Sequence, residues 1–193
     1  MSGKTTCVFA SGDNRAVFSL VGMGAEVTSV DISENQLHVA AERAEQIGLQ
    51  VRFIRSDISA VPELADGEFD LVFMGSGAIC WFEDLRAVYR EAARILKPGG
   101  QLAVRDRHPF ANVLGDPSAP EIRYAYSDRG PRITESSHGT EYSFHWTVSE
   151  QFKAMIEAGF EVIRIDEFGQ AEWDDSPAAK LPGALYMVGR KRP

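Results

Sequence analysis

The chain predicts an α/β fold, a doubly wound and mostly parallel sheet with helices on both faces. Three observations predict it. Short β-rich runs alternate with helical stripes through the first half of the sequence. A small-residue turn, Ser11-Gly12-Asp13-Asn14, follows the first run. A carboxylate, Asp31, then closes the second run about 20 residues after that turn, the spacing at which such sheets set an acid against a ribose diol. At 193 residues the chain is expected to form one domain over 1–193, because a split would leave each half poorly buried.

Taken in order, Thr5 to Ala10 is a run of buried-strand type, and Val17, Leu20 and Val21 start a helical face that Gly24 ends. Glu26 to Asp31 makes the second strand. Ser33 caps a helix whose positions Leu37, Ala40, Ala41, Ala44 and Ile47 are expected on one inner face, and Gly48 stops it. Val51 to Arg55 is the third strand, followed by Asp57. Pro62 to Gly67 reads as a turn region and Phe69 to Met74 as a fully buried fourth strand. Leu85, Val88, Ala92 and Ile95 form the inner stripe of the next helix. Lys97-Pro98-Gly99-Gly100 should end it abruptly, since proline cannot extend a helix and glycine accepts positive φ, and Gln101 to Arg105 is the fifth strand.

The regular pattern breaks after that. Residues 108–147 are rich in Pro, Gly, Ser and aromatic side chains, with Arg123-Tyr124-Ala125-Tyr126 and Glu141 to Trp146 as short antiparallel strands. A structureless loop of that length is unusual in a compact domain, so the segment reads as an insertion covering the substrate. Val148 to Ala158 resumes as a helix with Phe152, Met155 and Ile156 inward, and Phe160 to Phe168 with Ala184 to Arg190 form a C-terminal antiparallel hairpin.

Composition narrows the function. A net charge of −8 argues against a nucleic-acid partner, whose affinity rests on Lys and Arg, and favours a small-molecule substrate. No apolar run approaches the roughly 20 residues of a membrane span, and Met1 to Lys4 enter the first strand with no room for a secretory signal. Two cysteines, Cys7 and Cys80, suggest no disulfide framework, and a cytoplasmic location is expected. No Cys/His cluster has metal spacing. Oligomeric state stays open.

Gly12, Asp31 after the second strand, Asp57 after the third, Phe69-Asp70-Leu71-Val72 in the fourth and Leu96-Lys97-Pro98-Gly99-Gly100 before the fifth form an ordered set. This set resembles the class I S-adenosylmethionine-dependent methyltransferases of small-molecule type, from about Thr5 to Arg105, and Glu157-Ala158-Gly159-Phe160 is similar to the same members. The resemblance implies a Rossmann-like, seven-stranded sheet in the order 3-2-1-4-5-7-6, with strand seven antiparallel. It implies S-adenosylmethionine as cofactor, S-adenosylhomocysteine as product and methyl transfer to an O, N or C atom of a small molecule. By the same resemblance Ala10, Ser11 and Gly12 bring backbone close to the methionine part, with Asn14 completing the turn. Asp31 accepts the ribose hydroxyls and Ile32 packs on the adenine. Asp57 accepts the adenine amino group, the backbone of Ile58 meets the ring edge, and Met74 and Gly75, with the residues up to Gly77, line the methyl-transfer side. Asp31 also reads as a helix-capping acid and Asp57 as ordinary turn chemistry.

The chain departs from the family pattern at three points. Val8 stands where the acid at the end of strand one is usual, with Asp13 as a compensating acid or a plain turn residue. Ala10 and Asn14 replace glycines, and the helix that many relatives place before strand one is missing, which leaves the site open or dependent on the insertion. If the acceptor must lose a proton, His108 and His145 are the candidate bases, with hydrogen-bonded loop histidines as the alternative. His138, beside Gly139, suits that alternative better. Arg107 is a candidate clamp for an acidic substrate or a salt-bridged face residue, and Trp81 a wall of the acceptor pocket or a packing tryptophan. Cys80 reads as a small buried hydrophobe. Two other classes remain, a non-catalytic protein that binds S-adenosylmethionine or S-adenosylhomocysteine, and a nicotinamide-dependent oxidoreductase sharing the first βαβ unit.

Overall fold

Thr5–Phe9 (β1) and Glu26–Asp31 (β2) pair in parallel, joined by helix α1 (Arg15–Gly22), as a βαβ unit requires. A computed structural model describes residues 1–12, 14–75, 77–116, 119–136, 139–169 and 180–192. The pattern continues with α2 (Glu34–Gln46), β3 (Arg52–Arg55), β4 (Phe69–Gly75), α3 (Leu85–Ile95) and β5 (Leu96–Arg107). Two small hairpins follow, β6 (Leu114–Asp116) with β7 (Ala119–Ile122) and β8 (Arg132–Ser136) with β9 (Gly139–Ser143). Helix α4 (Val148–Glu157) then leads into β10 (Phe160–Gly169) and β11 (Pro182–Lys191).

The main sheet has seven strands in the order β10-β11-β5-β4-β1-β2-β3, with β11 antiparallel to both of its neighbours. This is the order and the terminal hairpin that the resemblance implies. The strand order reverses between β1 and β4, so the loops leaving β1 and β4 diverge at the carboxyl edge of the sheet and open a crevice there. One core joins Phe9, Val72, Met74 and Leu102 of the sheet to Val88, Tyr89, Ala92 and Ile95 of α3, and a smaller one packs Val17 of α1 on Val8 and Val27. Among the described residues no helix is long and apolar enough to cross a membrane.

Several local expectations are corrected. Ala41 and Ile47 are exposed, because α2 buries only the Leu37, Ala40 and Ala44 row and Ile47 lies past its last turn. In α4 the inward positions are Gln151, Ala154 and Met155, while Ile156 faces outward. β4 is not fully buried, since Asp70, Leu71 and Phe73 keep partial exposure. The Lys97 to Gly100 stretch is a bulge inside β5 rather than a turn before it: the register runs from Phe69 opposite Leu96 to Leu71 opposite Gln101. Arg123 to Tyr126 is not a strand, because β7 stops at Ile122, and β9 ends at Ser143 short of Trp146.

Two polar clusters fix the framework. At the amino edge of the sheet the Asp70 carboxylate accepts from Lys97 Nζ (2.9 Å), Lys4 Nζ (3.0 Å) and the Thr5 N–H (3.0 Å), tying β1, β4 and the β5 bulge together. Beneath α3, the buried Glu91 accepts from the Val61 N–H (2.8 Å) and from Arg94, whose guanidinium also donates to the carbonyls of Val61 and Leu64. The hydrogen bonds from Arg94 and Val61 outweigh the burial that opposes its charge and lower the Glu91 carboxyl pKa. The segment after Asp57 and Ile58 is thereby held to α3.

The lysines, Lys97 first and Lys4 second, hold the Asp70 carboxyl well below the usual carboxylate range. Its stabilising effect is therefore complete above the unfolded-state value of about 3.9 and is lost as pH falls toward the depressed folded value. Thermal melts from neutral to acidic pH should show Asp70→Asn starting lower than wild type at pH 7 and losing less on acidification. Parallel curves would remove this cluster from the acid response. Glu91→Ala leaves Arg94 and the Val61 N–H without their partner, and denaturant unfolding should register a loss of roughly 3 kcal/mol.

Candidate functional site

The turn after β1 sits in left-handed backbone at three described positions, Ala10 (φ 47°), Gly12 (φ 48°) and Asn14 (φ 61°). For a residue with a Cβ this conformation costs roughly 1–2 kcal/mol, so something must hold Ala10 there. The holding groups come from β2. Ser29, fully buried, hydrogen-bonds to Ser11 Oγ (2.8 Å) and Asn14 Oδ1 (3.0 Å), and Asn14 Nδ2 donates back to the Gly12 carbonyl (2.6 Å). Asp31 closes the arrangement: its Oδ2 accepts from the Gly12 N–H at 2.8 Å and its Oδ1 from the Ser33 N–H at 2.9 Å.

Above this turn lies a cavity of about 600 Å³. Ala10 and Gly12 form its floor, and Asp31, Ile32, Asp57 and Ile58 form one wall. Ile32 is 68% exposed, an apolar side chain with no protein partner over it, whereas Ile58 is buried. One oxygen of the exposed Asp57 accepts from the Ser59 N–H at 2.8 Å. Gly75, Gly77, Ala78 and Trp81 line the opposite wall. A side chain at Gly75 would meet the Arg105 carbonyl at 2.9 Å and the Phe73 ring at 3.1 Å, so β4 can reach the cavity there only as glycine. Nine residues singled out from sequence thus meet around one space: Ala10, Gly12, Asp31, Ile32, Asp57, Ile58, Gly75, Gly77 and Trp81. Ser11, Asn14 and Met74 are buried behind it, the first two as hydrogen-bonding supports of the turn and Met74 in the core. Asp13 and His138 lie outside the described residues, as does Ser76 between Gly75 and Gly77.

A second cavity, of about 250 Å³, shares Gly77 and Trp81 with the first. Asp106, Arg107, Cys80, Trp146 and Gln151 line it. Asp106 is buried, and burial raises its carboxyl pKa against the pull of the Ile79 and Arg107 N–H groups that it accepts at 3.0 and 2.6 Å. Burial first, and Asp106 second, push the Cys80 thiol up to about 11, and its sulfur donates to the Gly77 carbonyl at 3.2 Å, so it is an inert thiol.

Neither of the two histidines expected as candidate bases lines either cavity. His108 caps the short 3₁₀ helix Pro109–Val113: its Nδ1 accepts from the Phe110 N–H at 3.1 Å and its Nε2 lies 2.7 Å from Glu167. His145 is fully buried, edge-on to Tyr126, and burial first, with Arg132 second, lowers its pKa. The insertion instead braces the turn Ile79–Trp81 from behind. The Phe144 N–H donates to the Cys80 carbonyl at 2.7 Å and the Trp146 indole N–H to the Phe82 carbonyl at 2.8 Å, with the Arg129 guanidinium 3.7 Å over the Trp146 ring. Of its described residues, Asn112 and Trp146 line the smaller cavity and none lines the larger.

Sequence reasoning passed over Ser29, Asp106 and Gln151. Asp106 had a signal: it continues the Leu102, Val104 phase of a strand that buries alternate positions, so an acid there points inward. Ser29 lies in the middle of a β-rich run and Gln151 in a helix, where nothing local distinguishes them from ordinary polar residues.

A family model described as "Methyltransferase domain" matches residues 8–104, half of the chain. The methyltransferase phqN of Penicillium fellutanum is 33% identical over 165 residues, 78% of this chain and 45% of its own length. The demethylmenaquinone methyltransferase of Thermus thermophilus is 36% identical over 99 residues, 51% of this chain and 44% of its own. The chain spans about half the length of these curated relatives. The crystal structure of an S-adenosylmethionine-dependent methyltransferase from Mesorhizobium loti shares the fold, with a TM-score of 0.80 over 98% of this chain and 92% of that one at 23% identity. Strand order, the turn anchored on Asp31 and the matched domain agree, and this chain belongs to the class I S-adenosylmethionine-dependent methyltransferase family.

Proposed function

We propose that this protein transfers a methyl group from S-adenosylmethionine to a small-molecule acceptor, with the cofactor in the larger cavity and the acceptor's reactive atom presented from the smaller one. The meeting of two cavities at Gly77 and Trp81 carries this reading, one with a carboxylate and an apolar wall, the other with a buried acid. The residues fit the cofactor. Each Asp31 oxygen already accepts one backbone N–H and keeps a lone pair for a ribose hydroxyl, the exposed Ile32 offers a flat apolar surface for an adenine, and Asp57 keeps one oxygen for its amino group.

When bound, S-adenosylmethionine supplies an electrophilic sulfonium methyl, so the protein's task is orientation and exclusion of water. Ala10 and Gly12 bring backbone close to the cofactor, and Gly75, Gly77 and Trp81 shape the passage between the cavities. Asp106 takes the place first given to His108 and His145: a buried carboxylate with a raised pKa, on the acceptor side, is the group suited to take a proton from an acceptor O–H or N–H. Arg107, at the edge of the same cavity, suits an acidic substituent on the acceptor. Acidic net charge supports a small molecule over nucleic acid, and two free cysteines suit a reducing, cytoplasmic setting.

Calorimetric titration with S-adenosylmethionine and S-adenosylhomocysteine, with NADH and NADPH as controls, tests the cofactor. Saturable binding of the first pair alone is expected, and Asp31→Asn, which keeps one acceptor oxygen, should weaken it at least about 10-fold. Binding of the nicotinamide pair alone, or unchanged affinity in a folded Asp31→Asn variant, sinks the assignment. Asp106→Asn should retain cofactor affinity while lowering turnover by about 10²-fold or more on an acceptor that must lose a proton. Tight cofactor binding with no transfer to any acceptor tried would instead support a non-catalytic binding protein.

A further inference from the structure

Beside the smaller cavity the fold leaves a buried polar atom without a partner. Gln151, in the first turn of α4, is 2% exposed and lines that cavity. Its Nε2 donates to the Trp146 carbonyl at 2.9 Å, which fixes the orientation of the amide, and its Oε1 is buried without a hydrogen-bond partner. An acceptor left in this state is costly, so a donor belongs beside it. Among the described lining residues the Trp146 indole N–H is spent on Phe82, the Cys80 thiol on Gly77, and Asp106 is itself an acceptor, while Trp81, Arg107 and Asn112 carry N–H groups that do not bond to Oε1. Trp81, half-exposed at the junction with the larger cavity, contributes flat apolar surface, and the buried Trp146 forms part of the wall.

We propose that Gln151 Oε1 selects the acceptor molecule by taking a hydrogen bond from an N–H or O–H group of a small aromatic substrate seated in the smaller cavity, an inference that rests on the methyl-transfer reading of the site. A cavity with a buried, unpaired acceptor discriminates strongly against a molecule of the same shape that lacks the donor. Recognition at this atom is separate from the reaction itself, which falls to the cofactor and Asp106.

Phenol and toluene, nearly equal in size, serve as probes, with binding measured by ligand-observed NMR on protein with excess S-adenosylhomocysteine added. Wild type should bind phenol at least about 10-fold more tightly than toluene, and Gln151→Met should reduce that ratio to about 2 or less. Gln151→Leu, which likewise lacks the acceptor oxygen, should also reduce that ratio to about 2 or less. It decides the matter if the methionine variant does not fold. Equal binding of the probes, no binding of phenol, or a preference unchanged in Gln151→Met would overturn the proposal and leave Oε1 as the seat of an ordered water. Calorimetry of S-adenosylhomocysteine on the same samples separates the two readings. Cofactor binding with no phenol preference defeats this inference alone, whereas a Gln151-dependent preference without cofactor binding defeats the methyl-transfer reading and leaves the recognition group standing.

Discussion

Asp31 accepts one backbone N–H from the turn after β1 and one from the start of α2, and both sides of the larger cavity depend on that pair of bonds. The turn would not hold its shape by itself. Ala10 and Asn14 lie where glycines are the easier choice, and their left-handed backbone persists because Ser29, Ser11 and Asn14 form a buried hydrogen-bonded set beneath them. A neighbour of β1 in the sheet thus supplies the constraint that β1's own sequence lacks. The departure from the family's glycine pattern is compensated from across the strand pair, not along the chain.

On the other side of the crevice a second acid does comparable work. Asp106 accepts the Ile79 N–H and holds the Ile79–Trp81 turn against the end of β5, while the insertion grips the same turn through Phe144 and Trp146. Helix α4 continues the brace. Thr147 and Glu150 form a reciprocal capping box at its start, Glu150 lies 3.7 Å from Arg129, and Arg129 covers Trp146. The insertion acts on the site through this turn and contributes Trp146 and Asn112 to the smaller cavity directly.

Much of the fold was legible because its signals are local. Alternating β-rich and helical segments, Ser33 as a cap and the spacing from Gly12 to Asp31 gave the parallel half, and the resemblance supplied the strand order that the pairings of β11 bear out. The residues around the larger cavity were legible for the same reason, since most of them lie at or just after the end of a strand. The lining of the smaller cavity was not, because its residues meet only through tertiary packing. His108 and His145 read alike as loop histidines, yet one is a cap paired with Glu167, far along the chain in β10, and the other is enclosed by the insertion. Ile156 reads as inward on its hydrophobicity, whereas α4 buries Gln151, Ala154 and Met155, and its packing against the smaller cavity places a glutamine inside.

Asp31 and Ser29 bond to Gly12, Ser11 and Asn14 within the fold itself, so the same side chains that face or underlie the larger cavity also hold β1 to β2. Replacing either one acts on folding stability as well as on the cavity, and a loss of affinity in such a variant has to be weighed against its melting temperature.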